Sequence, residues 1–338
     1  MSRGDDDVST EGLEGRWFAK PRYRRRARVT AVTPLTTTGT VRVGFEVVDD
    51  TPFDYLPGQF VGIEHHFEGS GYWRSPYCIL SSPTGERVFE LLVRMVAAGP
   101  MSLHLGQARV GDEVAFRGPT GRSMLPREDN RDRQLELFAT GTGASPFVSM
   151  ARYMVARGST QPVRLWWGLR LENDICLTDE LDQLAGESPN FRYAISLSDP
   201  SPGWQGLRGR ITESVPPLLE TLGDRLYYLV GNGAMIAEMA LALSDVGVNE
   251  KYLHREPYFD ASHDPDPATV AAIRERFVAA DVRSSYAKAA GGPFDPGRIL
   301  AAGRTRAQSV SVSDLFESLP GFLDHREGRK DEPPHSNR

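Results

Sequence analysis

The sequence predicts two folded domains and a further segment: a small antiparallel β-barrel, then an α/β domain built on a parallel sheet, then a C-terminal extension. Three observations carry this. The length, 338 residues, suits about two ordinary domains with some surplus. Up to about residue 128, short alternating runs follow one another with Gly and Pro between them, as in small barrels. From residue 134, apolar runs and helical patterns take turns, which means a parallel sheet with helices packed on it.

Residues 1–21 are polar and acidic without periodicity and read as a disordered tail. Arg22, Arg24, Arg25, Arg26 and Arg28 then crowd ahead of Val29. They are either a solvated strand edge or a basic patch for an acidic protein partner. Strand patterns lie around Val29 to Val32 and Thr40 to Val48, followed by Pro57-Gly58-Gln59-Phe60, Tyr77-Cys78-Ile79, Val88 to Val96 and Val110 to Phe116. The one helical pattern in this half runs from Met101 to Gln107, just after Gly99-Pro100. The charged run Glu128 to Arg133 reads as the connection between domains.

Beyond it come strand 134–139, helix 145–157, strand 163–168, helix 179–185, strand 191–196, helix 212–222, strand 226–230, helix 234–246 and strand 251–255. Ligands of such sheets bind outside the carboxyl ends of the strands. Gly141-Thr142-Gly143 and Gly231-Asn232-Gly233 both stand at such ends. Glycine lets a backbone approach a ligand closely, and a following helix start attracts an anionic group such as a phosphate. Residues 261–338 form the extension, with one helix expected from Asp264 and a polar, disordered end.

Composition excludes several classes. A net charge of -6 gives no reason to expect nucleic acid. No apolar run reaches the ~18 residues of a membrane span, and the acidic start is unlike a signal peptide, so a cytoplasmic location is expected. Cys78 and Cys176, far apart, form neither a disulfide framework nor an iron–sulfur ligand set. Adjacent His65 and His66 point to opposite faces of a strand, so no metal is expected.

Taken together, Pro57-Gly58-Gln59-Phe60, Tyr77 with Ile79, Ser81-Ser82, Gly99-Pro100-Met101-Ser102, Val110 to Glu113, Gly118 to Gly121, Gly141 to Phe147, Gly168 to Arg170, Gly231-Asn232 and Glu256 to Phe259 resemble the ferredoxin–NADP reductase superfamily, particularly its short bacterial members. The resemblance covers about residues 23–260. It implies an FAD-binding barrel over 22–128 and a nicotinamide-nucleotide-binding domain over 129–260, with hydride passing from NADPH or NADH to FAD. Electrons would then go singly to a ferredoxin or flavodoxin. Alternatives are the reductase component of an oxygenase system and, in another class, a non-catalytic nucleotide-binding regulatory subunit.

The resemblance also implies site residues. Tyr77 would stack on the flavin, with Cys78 and Ile79 beside it and Arg74, Gly99, Met101 and Ser102 at the FAD pyrophosphate. Gly141, Thr142 and Gly143 would meet the nicotinamide nucleotide, Thr142 also touching FAD. Gly231 and Asn232 would line the opposite wall, and Glu256 and Phe259 correspond to the family's closing segment. Two departures stand out. Arg74 lies one residue further from Tyr77 than the family spacing, with Ser75 in its register, and Cys78 replaces a serine that hydrogen-bonds the flavin. Arg170 matches an arginine that often meets the 2′-phosphate of NADP, whereas Asp199 suits a ribose hydroxyl, which leaves NADPH and NADH both open.

Overall fold

The computed structural model describes residues 24–69, 71–96, 99–219, 222–259, 267–273 and 275, the side chains of 258 and 259 excepted. The expected tail 1–21 and most of the extension 261–338 lie outside them. The described chain divides into two compact units.

The first unit holds the described residues up to Pro126 together with Ser145–Ala156. Its strands are β1 (Arg25–Pro34), β2 (Thr40–Val47), β3 (Phe60–Phe67), β4 (Gly71–Cys78), β5 (Val88–Arg94) and β6 (Glu113–Thr120), with helix α1 (Pro100–Gly106) between the last two. They form one antiparallel sheet in the order β4-β3-β6-β1-β2-β5. A bridge from Ile79 to Leu91 joins the end of β4 to β5, the other edge of that order. The pleat explains the strand text: along β2, Val41, Val43, Phe45 and Val47 all point inward and are buried. Phe45, Phe53, Phe89 and Phe116 make up the aromatic centre of this core.

The N-terminal arginines lie on this sheet, and each described one has an acid. Arg24 pairs with Glu64 at 3.1 Å, Arg25 with Asp49 at 2.7 Å, and Arg26 and Arg28 share Glu113 at 3.0 and 3.3 Å. The Arg25 guanidinium, bonding through two nitrogens, holds the Asp49 carboxyl down at about 2. Strand β1 lies between β6 and β2, so Arg25, Arg26 and Arg28 stand on an interior strand, not at a sheet edge, and are held by ion pairs; Arg22 lies outside the described residues.

The second unit carries a parallel sheet of β7 (Gln134–Thr140), β8 (Val163–Leu169), β9 (Phe191–Leu197), β10 (Leu207–Arg208), β11 (Arg225–Asn232) and β12 (Leu253–Phe259). Its order is β10-β9-β8-β7-β11-β12, every neighbouring pair parallel. The chain starts in the middle at β7, runs outward to β10, then returns to the far side of β7 as β11. The direction thus switches between β7 and β11. Helices in this unit are α3 (Thr178–Glu187), α4 (Ile211–Ser214) and α5 (Gly233–Asp245); helix α2 (Ser145–Ala156) groups with the first unit.

Two local outcomes differ from the text reading, and a third agrees with it. A single helix over 212–222 does not form: α4 stops at Ser214, and Pro216-Pro217 permit only a short 3-10 turn, Pro216–Leu218. The loop at Gly206 to Gly209 contains the two-residue strand β10. The helix expected from Asp264 is described over residues 267–273, where Val270 and Ile273 are buried and Ile273 joins the core of the second unit. Among the described residues no helix is long and apolar enough to cross a membrane.

The centre of this sheet buries a charge. Glu136, fully buried on β7, accepts from Trp166 Nε1 at 2.6 Å and from Gln134 Nε2 at 2.6 Å, and it ion-pairs with Arg225 of β11. Removing one partner of a buried pair strands the other in a low-dielectric interior, at a cost of about 3–5 kcal/mol. Glu136→Ala is expected to lose that much in denaturant unfolding. A loss below about 1 kcal/mol would show that water reaches Arg225.

Candidate active site

In the second unit the two glycine turns are neighbours because β7 and β11 are neighbours. Gly143 is buried, and a Cβ there would sit 2.6 Å from Val230 O and 2.9 Å from Gly231 Cα. Gly231 has φ +127°, and a Cβ there would fall on the Thr140 side chain. The turns thus pack backbone against backbone with no room for side chains. Thr140 Oγ1 accepts from Asn232 N at 2.7 Å, and Trp167 Nε1 donates to Gly141 O at 2.8 Å. Gly141, at φ +53°, is exposed with nothing within 4 Å of a Cβ. Thr142 is half-buried. Asn232 is exposed and caps α5, accepting from Ala234 N and Met235 N. Of the predicted nucleotide residues, Gly141, Thr142, Gly231 and Asn232 gather at the switch point, while Gly143 serves the packing beneath them.

Arg170 follows β8 and is exposed, with Nη2 3.7 Å from Asp199 Oδ2. Glu256 is half-buried on β12, in register with Val230. Phe259 ends β12 opposite Asn232, and its side chain lies outside the described residues.

In the first unit, Tyr77 and Cys78 close β4, and Ile79 enters the core. Tyr77 is half-buried, packs on the core edge and hydrogen-bonds to no described residue; burial pushes its phenol up to about 12. Cys78 is buried and in no disulfide. Arg74 is exposed and forms no hydrogen bond or ion pair with described residues, its stem lying 3.2 Å from where a Gly62 Cβ would be. The β3–β4 register is unbroken, with Glu64 opposite Arg74 and Val61 opposite Tyr77. Strict alternation therefore sets Arg74 on the opposite face from Tyr77, and Ser75 on the same face as it. The displaced arginine is thus a change of face as well as of spacing.

At the start of α1, Gly99 is the N-cap and a Cβ there would strike Val96 Cγ2 at 2.5 Å. Met101 points into the core. The Ser102 hydroxyl donates to Gly99 O at 2.8 Å and accepts from Val96 N at 3.1 Å, so it shapes the turn itself. Ser81 is the hub of a second network. Tyr55 OH bonds Ser81 Oγ at 2.8 Å, and on α2 Ser149 Oγ donates to Ser81 O at 2.6 Å while Arg152 Nη1 donates to Leu80 O at 3.2 Å. His65 lies against His104 of α1, ring centroids 3.9 Å apart and tilted by 35°. Among the described residues no group of three or more His, Cys, Asp or Glu could hold a metal.

Thr140, Trp167, Ser149 and Arg152 escaped the sequence reading. Only Thr140, directly before the Gly turn, carried a positional hint.

Two family models match this chain. The oxidoreductase FAD-binding domain matches residues 32–124 and the oxidoreductase NAD-binding domain residues 137–240. Ferredoxin–NADP reductase B of Sorangium cellulosum is 34% identical over 240 residues, which is 69% of this chain and 96% of that protein. The chain belongs to the ferredoxin–NADP reductase superfamily. A second relative, the toluate 1,2-dioxygenase electron transfer component of Pseudomonas putida, is 30% identical over 60% of this chain and 59% of that protein. Among solved structures, the Amycolatopsis cytochrome P450 reductase GcoB is similar, with 27% identity, 72% of each chain covered and a TM-score of 0.64. This superfamily member is an FAD-dependent NAD(P)H oxidoreductase that transfers electrons.

The residues present fit both groups in part. Tyr77 offers an aromatic face whose hydroxyl bonds no described residue, as a flavin needs, whereas Arg74, the cation expected at the pyrophosphate, lies on the other face of β4. The second unit offers glycine turns at a switch point, open at Gly141. Gly143→Ala is expected to destabilise by about 1–3 kcal/mol through overpacking against backbone that cannot yield. Gly141→Ala, which meets only its own φ, is expected to lose about 1–2 kcal/mol. Thermal unfolding with titration of NAD⁺ checks this: Gly143→Ala should weaken the nucleotide more than Gly141→Ala, and the reverse order would contradict the packing account.

Proposed function

We propose that residues 22–128 bind FAD and residues 129–260 bind the nicotinamide nucleotide, and that the enzyme passes electrons singly from FAD to a ferredoxin or flavodoxin. The observation that carries this is the presence on one chain of a half-buried Tyr77 ring whose hydroxyl bonds no described residue and of two adjoining glycine turns open at Gly141. When bound, FAD supplies the chemistry of accepting a hydride and releasing one electron at a time. The chain's part is to bind and orient. Tyr77 covers the flavin ring and excludes water from it. Cys78 offers a thiol where a hydroxyl would be the better donor, and Ile79 closes the apolar side. Backbone N–H groups at Met101 and Ser102 meet the pyrophosphate, while Arg74, on the other face of β4 from Tyr77, is left out of this contact. Thr142 and Glu256 act at the reacting end, and Gly141, Gly231, Asn232 and Phe259 hold the nucleotide. A cytoplasmic location, where NAD(P)H is supplied, completes the reading.

A second reading, the reductase component of an oxygenase system, is supported by relatives so named, among them the propane 2-monooxygenase reductase component of Mycolicibacterium goodii. With two cysteines in this sequence, it would work through a separate ferredoxin.

Colour is the first test. Purified protein should be yellow and bleach on adding NADH or NADPH; protein that stays colourless with added FAD would instead be a non-catalytic nucleotide-binding subunit. Tyr77→Ala should lose most bound FAD, read as flavin absorbance per protein. Cys78→Ser should retain FAD and reduce it as fast or faster in stopped flow, and a large loss of rate would remove Cys78 from the site.

A further inference from the structure

We propose that Ser149 and Arg152 of α2 are positioning residues for hydride transfer: they pin the helix that follows the Gly141–Ala144 turn to the segment that follows Tyr77 and Cys78. The inference rests on the flavin reading of Tyr77 and the nucleotide reading of the glycine turns, and it names residues that belong to neither. Just past β4 the chain leaves the sheet, and its backbone groups must find partners elsewhere. Some come from the barrel. Ile79 N donates to Gln59 O at 3.1 Å and Leu80 N to Glu90 O at 2.8 Å, and Tyr55 OH lies 3.2 Å from Ser81 O and 3.0 Å from Ser82 O.

Helix α2 adds two further donors. Ser149 Oγ donates to Ser81 O at 2.6 Å, and Arg152 Nη1 donates to Leu80 O at 3.2 Å. A serine inside a helix ordinarily returns its hydroxyl to a carbonyl of the preceding turn or faces water. Ser149 does neither: it is fully buried and its proton goes to another segment. Arg152 Nη1 also lies 3.4 Å from Glu90 Oε2 of β5, and Glu90 Oε1 lies 3.9 Å from Arg42 of β2, so the guanidinium is held on the barrel side as well. Both ends of this link are sites. Leu80 and Ser81 are the third and fourth residues after Tyr77, and α2 begins at Ser145, directly after the turn. A helix is stiff over so few turns because each turn is hydrogen-bonded to the next. Pinning it at Ser149 and Arg152 therefore limits how far the chain at Ala144 can shift. Hydride transfer needs the reacting atoms about 3–3.5 Å apart, and a misplacement of about 1 Å can cost roughly 100-fold.

The test uses the holoenzyme with two readouts. In stopped flow at saturating NADH or NADPH, the double variant Ser149→Ala with Arg152→Ala should reduce its flavin at least about tenfold more slowly than wild type. Its flavin content and nucleotide Kd should stay within about twofold of wild type. Ser149→Thr and Arg152→Lys, which keep a donor at each position, should recover most of the lost rate. By hydrogen exchange, the double variant should open faster at the amides of residues 79–82 and of residues 142–145 together. If the double variant does not fold, Arg152→Ala, at a partly exposed position, carries the same expectations with a loss of about threefold. Reduction as fast as wild type, a loss of rate matched by an equal loss of flavin or of nucleotide affinity, or exchange that rises at residues 79–82 alone overturns the proposal. A wild type whose flavin neither nucleotide reduces would instead overturn the functional reading, and the hydrogen exchange would still decide whether α2 ties the two segments.

Discussion

The contact on which the nucleotide-binding unit depends is between two stretches of backbone. Gly143 sits against Val230 and Gly231 where one methyl group would not fit, and Thr140 Oγ1 ties the start of the second turn to the end of β7. Close packing makes this all-or-none, because backbone cannot move aside as a side-chain end can. Everything local follows from it. Gly141 is left on the open side, Asn232 is held as the cap of α5, and the switch point of the sheet has both turns next to each other. The buried Glu136–Arg225 pair lies on the same two strands, so β7 and β11 are joined by ladder, ion pair and turn alike.

In the barrel unit the comparable role falls to Ser81. The segment just past Tyr77 and Cys78 has its carbonyls and hydroxyl satisfied by Tyr55, Ser149 and Arg152. Backbone polar groups that leave a sheet must find partners elsewhere, and here they find them partly on α2. That helix begins at the residue after the Gly141–Ala144 turn. Its polar residues Ser149 and Arg152 are therefore explained by the barrel segment, although in the sequence they are only two polar residues in an apolar helix.

Much of the fold was legible because period and punctuation report it directly. The alternation of Val41, Val43, Phe45 and Val47 announces an inward-facing strand, and the strand–glycine–helix text at 134–147 announces a phosphate-type turn. Helix 212–222 misread because the apolar spacing outweighed Pro216-Pro217, which tolerate only a short turn. The site was partly legible. Tyr77 and the two turns could be named, but the face on which Arg74 lies could not, since it depends on whether β4 contains a bulge. The unbroken register shows that it does not.

By itself the sequence determined the class of each unit, the candidate flavin-side tyrosine and the glycine turns, because these depend on local pattern and on residue types with few substitutes. Tertiary structure alone decided which cations are available. Arg24, Arg26 and Arg28 each meet a carboxylate from another strand and Arg25 one from the loop after β2, Arg170 meets Asp199 across strand ends, and Arg74 meets none among the described residues. The reason is that an ion pair acts over a few ångströms of space, whatever the distance along the chain.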